Sequence, residues 1–162
     1  MAVTVRQIDS DRPATGAIRV AIVAARYNEW ITEKLVRGAL EALEKAASSA
    51  SADVIHVPGA FEVVGGAAAA ARSGKYHAIV ALGCVIKGQT SHDFHLGSAV
   101  TGALAELSAE CAAVGIGVGL GVLTVDNAEQ AEARAGGSHG NKGAEAMQAA
   151  MEMVVVVRQV LG

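Results

Sequence analysis

Residues Ile18 to Ala25 read IRVAIVAA, and this run decides the fold class. Beyond Arg19 every side chain is apolar, so a strand here is buried on both faces, as a parallel sheet requires. Working downstream, Asn28 stands where it can cap a helix running from Glu29 to about Ala47, in which Ile31, Leu35, Leu40 and Leu43 form an approximately helical stripe. Asp53 to Val57 is expected as a second strand, stopped by Pro58-Gly59, with an alanine-rich helix from about Phe61 to Arg72 ended by Ser73-Gly74. Ala78 to Leu82 (AIVAL) is expected as a third strand entering the loop Gly83 to His92 (GCVIKGQTSH), and the pattern from about Asp93 to Ala113 is again helical.

Val114 to Thr124 (VGIGVGLGVLT) alternates glycine with Ile116, Val118, Leu120 and Val122, a period of two that predicts a fourth strand with one nearly bare face. Another backbone or a ligand can approach such a face closely. A short helix from Asn127 to Ala135, a break at Gly136-Gly137 and a long helix from Asn141 to Leu161 complete the chain. Strands alternating with helices imply right-handed crossovers and an α/β fold: a four-stranded parallel sheet covered on both faces. Met1 to Gly16 is a polar arm, a tail or an edge-pairing strand, and residues 17 to 162 form one domain. Ligands on such sheets bind beyond the carboxyl ends of the strands, which singles out Arg26-Tyr27-Asn28, Pro58 to Glu62, Gly83 to His92 and Thr124 to Asp126.

Composition narrows the function. The 162 residues are 52% hydrophobic and 18% charged, which suits one domain with a sizeable core. With 13 Lys+Arg against 16 Asp+Glu and no basic run, nothing presents a phosphate-neutralising surface to nucleic acid, and no nucleic-acid partner is expected. The 2 cysteines, Cys84 and Cys111, are not in CxxC spacing and fit a reducing compartment. The amino terminus carries Arg6, Asp9, Asp11 and Arg12 with no apolar core of signal-peptide length, and the tract near Ala112 to Val125 is short of a membrane span, so a cytoplasmic protein without a membrane partner is expected. Aromatics are only 3% while glycine numbers 19, so each subunit buries little area per side chain and is expected to bury surface against copies of itself.

Two segments invite chemistry. Lys87, Gly88, Gln89, Thr90, Ser91 and His92 precede a helix, where backbone N–H groups, the helix dipole and hydroxyls converge, either as an anion pocket or as a plain capping turn. His92 either shuttles protons or decorates a helix start. His92, Asp93 and His95, with Cys84 upstream, lack any strict zinc spacing. Arg134 and Lys142 either clamp a phosphate or stay solvated. The glycine strand does not complete GxGxxG, since Leu120 or Val122 stands at the third glycine, and no GK[ST] tripeptide or acyl-transfer elbow exists.

Taken in order, Arg26-Tyr27-Asn28, Val57-Pro58-Gly59-Ala60-Phe61-Glu62, Lys75-Tyr76-His77-Ala78-Ile79, Leu82 to His92 (LGCVIKGQTSH), Gly121-Val122-Leu123-Thr124 and Arg134 to Gly143 resemble the lumazine synthase family of riboflavin biosynthesis over roughly Arg19 to Leu161. The resemblance implies a three-layer αβα sandwich, flavodoxin-like. It implies condensation of 5-amino-6-(D-ribitylamino)uracil with 3,4-dihydroxy-2-butanone 4-phosphate, releasing phosphate and water, with no metal or organic cofactor. It also implies sites shared between the subunits of a pentamer. The connection from Arg134 to Asn141 is short, which permits a sixty-subunit icosahedral shell without demanding one.

Carried onto this chain, the resemblance places Tyr27 against the pyrimidine ring with Asn28 beside it, and gives Ala60, Phe61 and Glu62 the ribityl chain. Val85 and Ile86 would line the ring with backbone groups. Gln89, Thr90, Arg134 and Lys142 would hold the phosphate, Arg134 from the adjoining subunit, and His92 would move protons. This chain departs from the family at Asp93-Phe94-His95-Leu96, where an aromatic-acid-aromatic order is usual, at Leu120, where a phenylalanine commonly packs on the ring, and at Lys87, which replaces a frequent arginine. Those departures define an alternative expectation, a catalytically impaired shell-forming or ligand-binding relative with the same fold.

Overall fold

The computed structural model describes residues 3–10, 13–47 and 49–162. Parts of the amino-terminal arm, including Asp11 and Arg12, thus lie outside the described residues. The elements run β1 (Arg19–Ala25), α1 (Glu29–Ala46), β2 (Ser51–Val57), α2 (Ala60–Arg72), β3 (Ala78–Ile86), α3 (His92–Ala112), β4 (Gly117–Val125), α4 (Ala128–Arg134), β5 (Ala135–Gly137), β6 (Gly140–Asn141) and α5 (Lys142–Leu161).

β1 to β4 form one parallel sheet in the order β2-β1-β3-β4, the strand order of a flavodoxin-like sandwich. On one face Val20, Ile22, Val80, Leu82 and Leu123 pack against Ile31 and Leu35 of α1 and Met147 and Val154 of α5. On the other, Ala21, Val23, Ile79 and Ala81 meet Val63 and Ala67 of α2 and Val100 and Leu104 of α3. The apolar run at residues 20 to 25 is buried along its whole length, which is why it carries no alternation. Each fully buried branched side chain contributes about 1.5–3 kcal/mol of transfer free energy, and Ile22, Ile79, Val80 and Leu82 are all at 0% exposure.

The bare face of β4 is taken by a backbone. A methyl group on Gly117 would collide with the carbonyl oxygen of Ala150, and one on Gly119 with that of Ala146, so α5 lies directly on the strand. No ligand is needed to account for those glycines.

Local boundaries differ from expectation in instructive ways. β3 continues four residues past Leu82 to Ile86, because Gly83 to Ile86 pair in register with Val122 to Val125. Asn28 occupies the residue before α1 but makes no side-chain cap; its backbone is left-handed, at φ 59°, which points the amide elsewhere. Asn127 and Asn141 do cap, accepting from Gln130 N and from Gly143 N and Ala144 N. The Gly136-Gly137 break is an antiparallel hairpin, β5 with β6, in which Gly136 and Gly140 take left-handed φ values of 106° and 73°. The described residues of the arm form no strand within this chain: Ser10 Oγ donates to Glu152 Oε2 at 2.9 Å, and the Asp9 carbonyl accepts from Gln159, along α5.

Candidate active site

The chain leaves β1, adds β2 on one side, then crosses to build β3 on the other, so a crevice opens beyond the carboxyl ends of β1 and β3. Three short bonds define that end of the sheet. Arg26 N donates to the Val57 carbonyl at 2.8 Å and Tyr27 N to the Pro58 carbonyl at 3.0 Å, joining the turn after β1 to the turn after β2. Asn28 Nδ2 donates to the Cys84 carbonyl at 2.9 Å, joining the same turn to β3. Tyr27 and Phe61 then stand on adjacent turns with their rings presented outward, 73% and 65% exposed. Two aromatic faces that bury little against their own chain are suited to a flat ligand.

Glu62 lies in the first turn of α2, exposed, with Oε2 close over Gly59, where the helix dipole favours a carboxylate. Ala60 is buried beneath it. Val85 is also buried, and Ile86 packs toward the α1 and α5 face, so these neighbours offer the crevice mainly their backbone.

Beyond β3, Lys87 N still donates to the Val125 carbonyl at 2.8 Å, and Lys87 Nζ pairs with Asp126 Oδ1 at 3.7 Å. Gln89, Thr90 and Ser91 then stand exposed between β3 and the start of α3. Asp93 Oδ1 accepts from Gly88 N and Thr90 Oγ1 from His92 N, both at 3.4 Å, which folds the loop onto the helix start. His92 is the first residue of α3 and is exposed. Backbone amides, hydroxyls and a helix N-terminus therefore converge in one place, a favourable setting for an anion. Of the residues that depart from the family order, Phe94 is 69% exposed and edge-on to His95, with ring centroids 5.6 Å apart.

The remaining sequence-named residues are not gathered here within one chain. Arg134 ends α4, half-buried, its guanidinium donating to the Gln130 carbonyl at 3.2 Å. Lys142 opens α5 and pairs with Glu145. Among the described residues no hydrogen bond or ion pair links either cation to residues 87–92. Leu120 pairs in register with Ala81, four residues below the level of Val85, or about 13 Å along the strand. It is 49% exposed. At the level of Val85, a groove of about 680 Å³ between α3 and β4 is lined by Val85, Phe94, Gly97, Thr101, Thr124 and Asp126 among others.

Cys84 is buried and its thiol is pushed up to about 11 by desolvation; burial, then the neighbouring Glu110, raises that of Cys111. Neither is a nucleophile in this state. Among the described residues no group of three or more His, Cys, Asp or Glu side chains is arranged to hold a metal ion, and no helix is long and apolar enough to cross a membrane.

One polar cluster escaped the sequence reading, at the opposite end of the sheet. Tyr76 Oη donates to Asp53 Oδ2 at 2.7 Å, Arg19 pairs with the same oxygen at 2.7 Å, and Arg19 N donates to His77 Nδ1 at 3.0 Å. Arg19 lies on β1 and Asp53 on β2, while Tyr76 and His77 stand just before β3; the segment Lys75 to Ile79 is singled out only by its resemblance to the family, and nothing in its spacing announces a link to Arg19 or Asp53.

The fold and the crevice define a class: an α/β protein whose doubly wound sheet presents exposed aromatic rings and an amide-rich helix start at its crossover. The chain belongs to the 6,7-dimethyl-8-ribityllumazine synthase family, whose sequence pattern matches residues 17–158. It is 46% identical over 151 residues to the chloroplastic 6,7-dimethyl-8-ribityllumazine synthase of Spinacia oleracea, covering 92% of this chain and 66% of the plant protein. It is 46% identical over 144 residues to the synthase of Xanthomonas oryzae pv. oryzae, covering 88% and 90% of the two chains. With the synthase of Nitratidesulfovibrio vulgaris the identity is 43% over 157 residues, 96% and 97% of the two.

Proposed function

We propose that this chain condenses 5-amino-6-(D-ribitylamino)uracil with 3,4-dihydroxy-2-butanone 4-phosphate to 6,7-dimethyl-8-ribityllumazine, releasing phosphate and water. The observation that carries the reading is the clamp of Asn28 on the Cys84 carbonyl, which sets the outward-facing Tyr27 and the adjacent Phe61 at the crevice beyond β1 and β3. Family membership supports it, as do the synthase names of the relatives described above. They give no support to an inactive shell-forming or ligand-binding protein.

In this reading the uracil lies on Tyr27 and takes hydrogen bonds from Asn28 and from the backbone near Val85 and Ile86. Ala60, Phe61 and Glu62 hold the ribityl chain, with the carboxylate accepting from its hydroxyls. Gln89 and Thr90 hold the phosphate. Arg134 and Lys142 reach it from a neighbouring copy, which accords with the lack, among the described residues, of any bond from them to the loop in their own chain. Leu120 likewise serves the ring of an adjoining site rather than its own. Imine formation and phosphate elimination need several proton transfers, which His92 mediates. Holding two reactants together supplies the larger share, up to about 7–11 kcal/mol. No metal or organic cofactor takes part in this scheme.

The assembly we propose is at least a pentamer, with a sixty-subunit shell permitted by the short hairpin between Arg134 and Asn141. The exposed Phe94 and Leu120 and the groove beside α3 support burial against further copies. Residues 17–162 act as the working domain with residues 1–16 as an arm, in a reducing compartment such as the cytoplasm.

The test is direct. Mixing the protein with both substrates is expected to yield the lumazine absorbance, undiminished by a chelator, and the protein is expected to sediment as a pentamer or larger. Absence of product together with no binding of the ribitylaminouracil overturns the reading.

A further inference from the structure

We propose that Asn141 is a positioning residue that sets Arg134 and Lys142 for the phosphate without touching substrate. This deepens the reading above and rests on the phosphate role given there to those two cations.

The geometry is specific. Asn141 pairs across the hairpin with Ala135, the residue after Arg134, and immediately precedes Lys142. Its Oδ1 accepts from Gly143 N at 2.9 Å and Ala144 N at 3.2 Å, which starts α5. Its Nδ2 donates to the Lys34 carbonyl at 2.9 Å, inside α1. A helix carbonyl already engaged along its own helix has a second lone pair to offer, but side chains usually cover it. Here Gly38, one turn on, leaves it open: a methyl group at that position would collide with the Asn141 amide. Gly143 shows the same economy, since a methyl there would collide with the Leu35 carbonyl. Two glycines and an amide engaged at both its oxygen and its nitrogen thus fix the hairpin and the start of α5 against α1. Capping alone explains Oδ1, but neither the reach to Lys34 nor Gly38.

The cations flank this anchor, one residue before Ala135 and one after Asn141. If the anchor slackens, both shift together, and misplacement of about 1 Å can cost on the order of 10²-fold. The two variants to compare are Asn141→Ser, which keeps a capping oxygen but cannot span to Lys34, and Gly38→Ala, which displaces the amide while leaving Asn141 in the sequence.

Both are expected to raise KM for the butanone phosphate by about 10- to 100-fold and to weaken inorganic phosphate binding in parallel. KM for the ribitylaminouracil is expected to stay within about twofold, which a general loosening of the fold would not spare. In an Arg134→Ala, Lys142→Ala background, Asn141→Ser is expected to add no further loss, as for a residue acting through those cations. Equal rises in both KM values, or loss of assembly in both single variants, overturn the inference in favour of a structural role. An unchanged phosphate KM in Asn141→Ser, where Arg134→Ala raises it, overturns the inference alone. An unchanged phosphate KM in the Arg134→Ala, Lys142→Ala protein overturns the phosphate reading beneath it.

Discussion

The side chain of Asn28 and the main chain of Cys84 are joined at 2.9 Å, across the point where the sheet reverses its direction of growth. The only described non-glycine residue with positive φ is this asparagine, so a costly backbone conformation and a long-range bond coincide at one position. Asn28→Gly retains access to the left-handed region and removes only the amide. We expect KM for the ribitylaminouracil to rise by about tenfold, as for loss of one hydrogen bond with its buried acceptor left unpaired, with KM for the phosphate substrate little changed. Steady-state kinetics with each substrate varied in turn decides the matter.

Arg134→Ala is expected to cost about 2–4 kcal/mol of transition-state binding, appearing chiefly as a higher KM for the butanone phosphate. The measurement is kcat/KM against each substrate; a loss confined to the uracil would contradict the assignment.

His92→Asn should slow turnover by about 10²-fold or less, at or below the low end of the roughly 10²–10⁴ that one general acid–base group supplies, because proximity carries most of the acceleration and survives the change. Single-turnover rates on assembled protein provide the check, and complete inactivity would mean that proton transfer dominates.

Hydrogen bonding from Tyr76, then from Arg19, holds the Asp53 carboxyl below its ordinary range, and the same bond raises the Tyr76 hydroxyl. The signs follow from linkage. A lowered carboxyl stabilises the fold above the unfolded carboxylate range and loses that contribution as pH falls below about 4; a raised phenol is stabilising below about pH 10 and loses its contribution above it. Wild-type protein should therefore lose a small increment of stability on each side that Asp53→Asn does not show. Thermal midpoints across pH compare the two, and the gain is modest because the pair is solvent-exposed.

Cys84 should resist alkylation in the assembled protein near pH 8, since its thiol is pushed up to about 11 by burial, and react once the chain is unfolded. Mass spectrometry of labelled peptides reads this directly.

Much of this was legible before any coordinates. The apolar run at residues 20–25, the alternation through residues 117–122 and the helical stripes specify four strands, their parallel arrangement and the main helices, because burial on two faces and a bare strand face leave composition signals. Short-range patterns say less where pairing decides. Gly83 to Ile86 look like a loop in isolation and become strand only because Val122 to Val125 lie alongside. β5 and β6 are too short for any period. Asn28 looks like a cap because its residue type suits one, whereas the Cys84 carbonyl, distant in sequence, draws its amide away. The four carboxyl-end segments are readable from topology alone; the bonds of Arg134 to the Gln130 carbonyl and of Lys142 to Glu145 are not, since they depend on how the side chains settle within two turns.

The glycines of β4 have a consequence for the first residue of α5. Ala146 and Ala150, whose carbonyls rest on that strand, lie one and two turns from Lys142 on a rigid rod that rises about 1.5 Å per residue. Enlarging Gly119 would tilt the rod and swing the lysine, so a strand with nothing on its face serves as the gauge against which a positive charge one turn away is set.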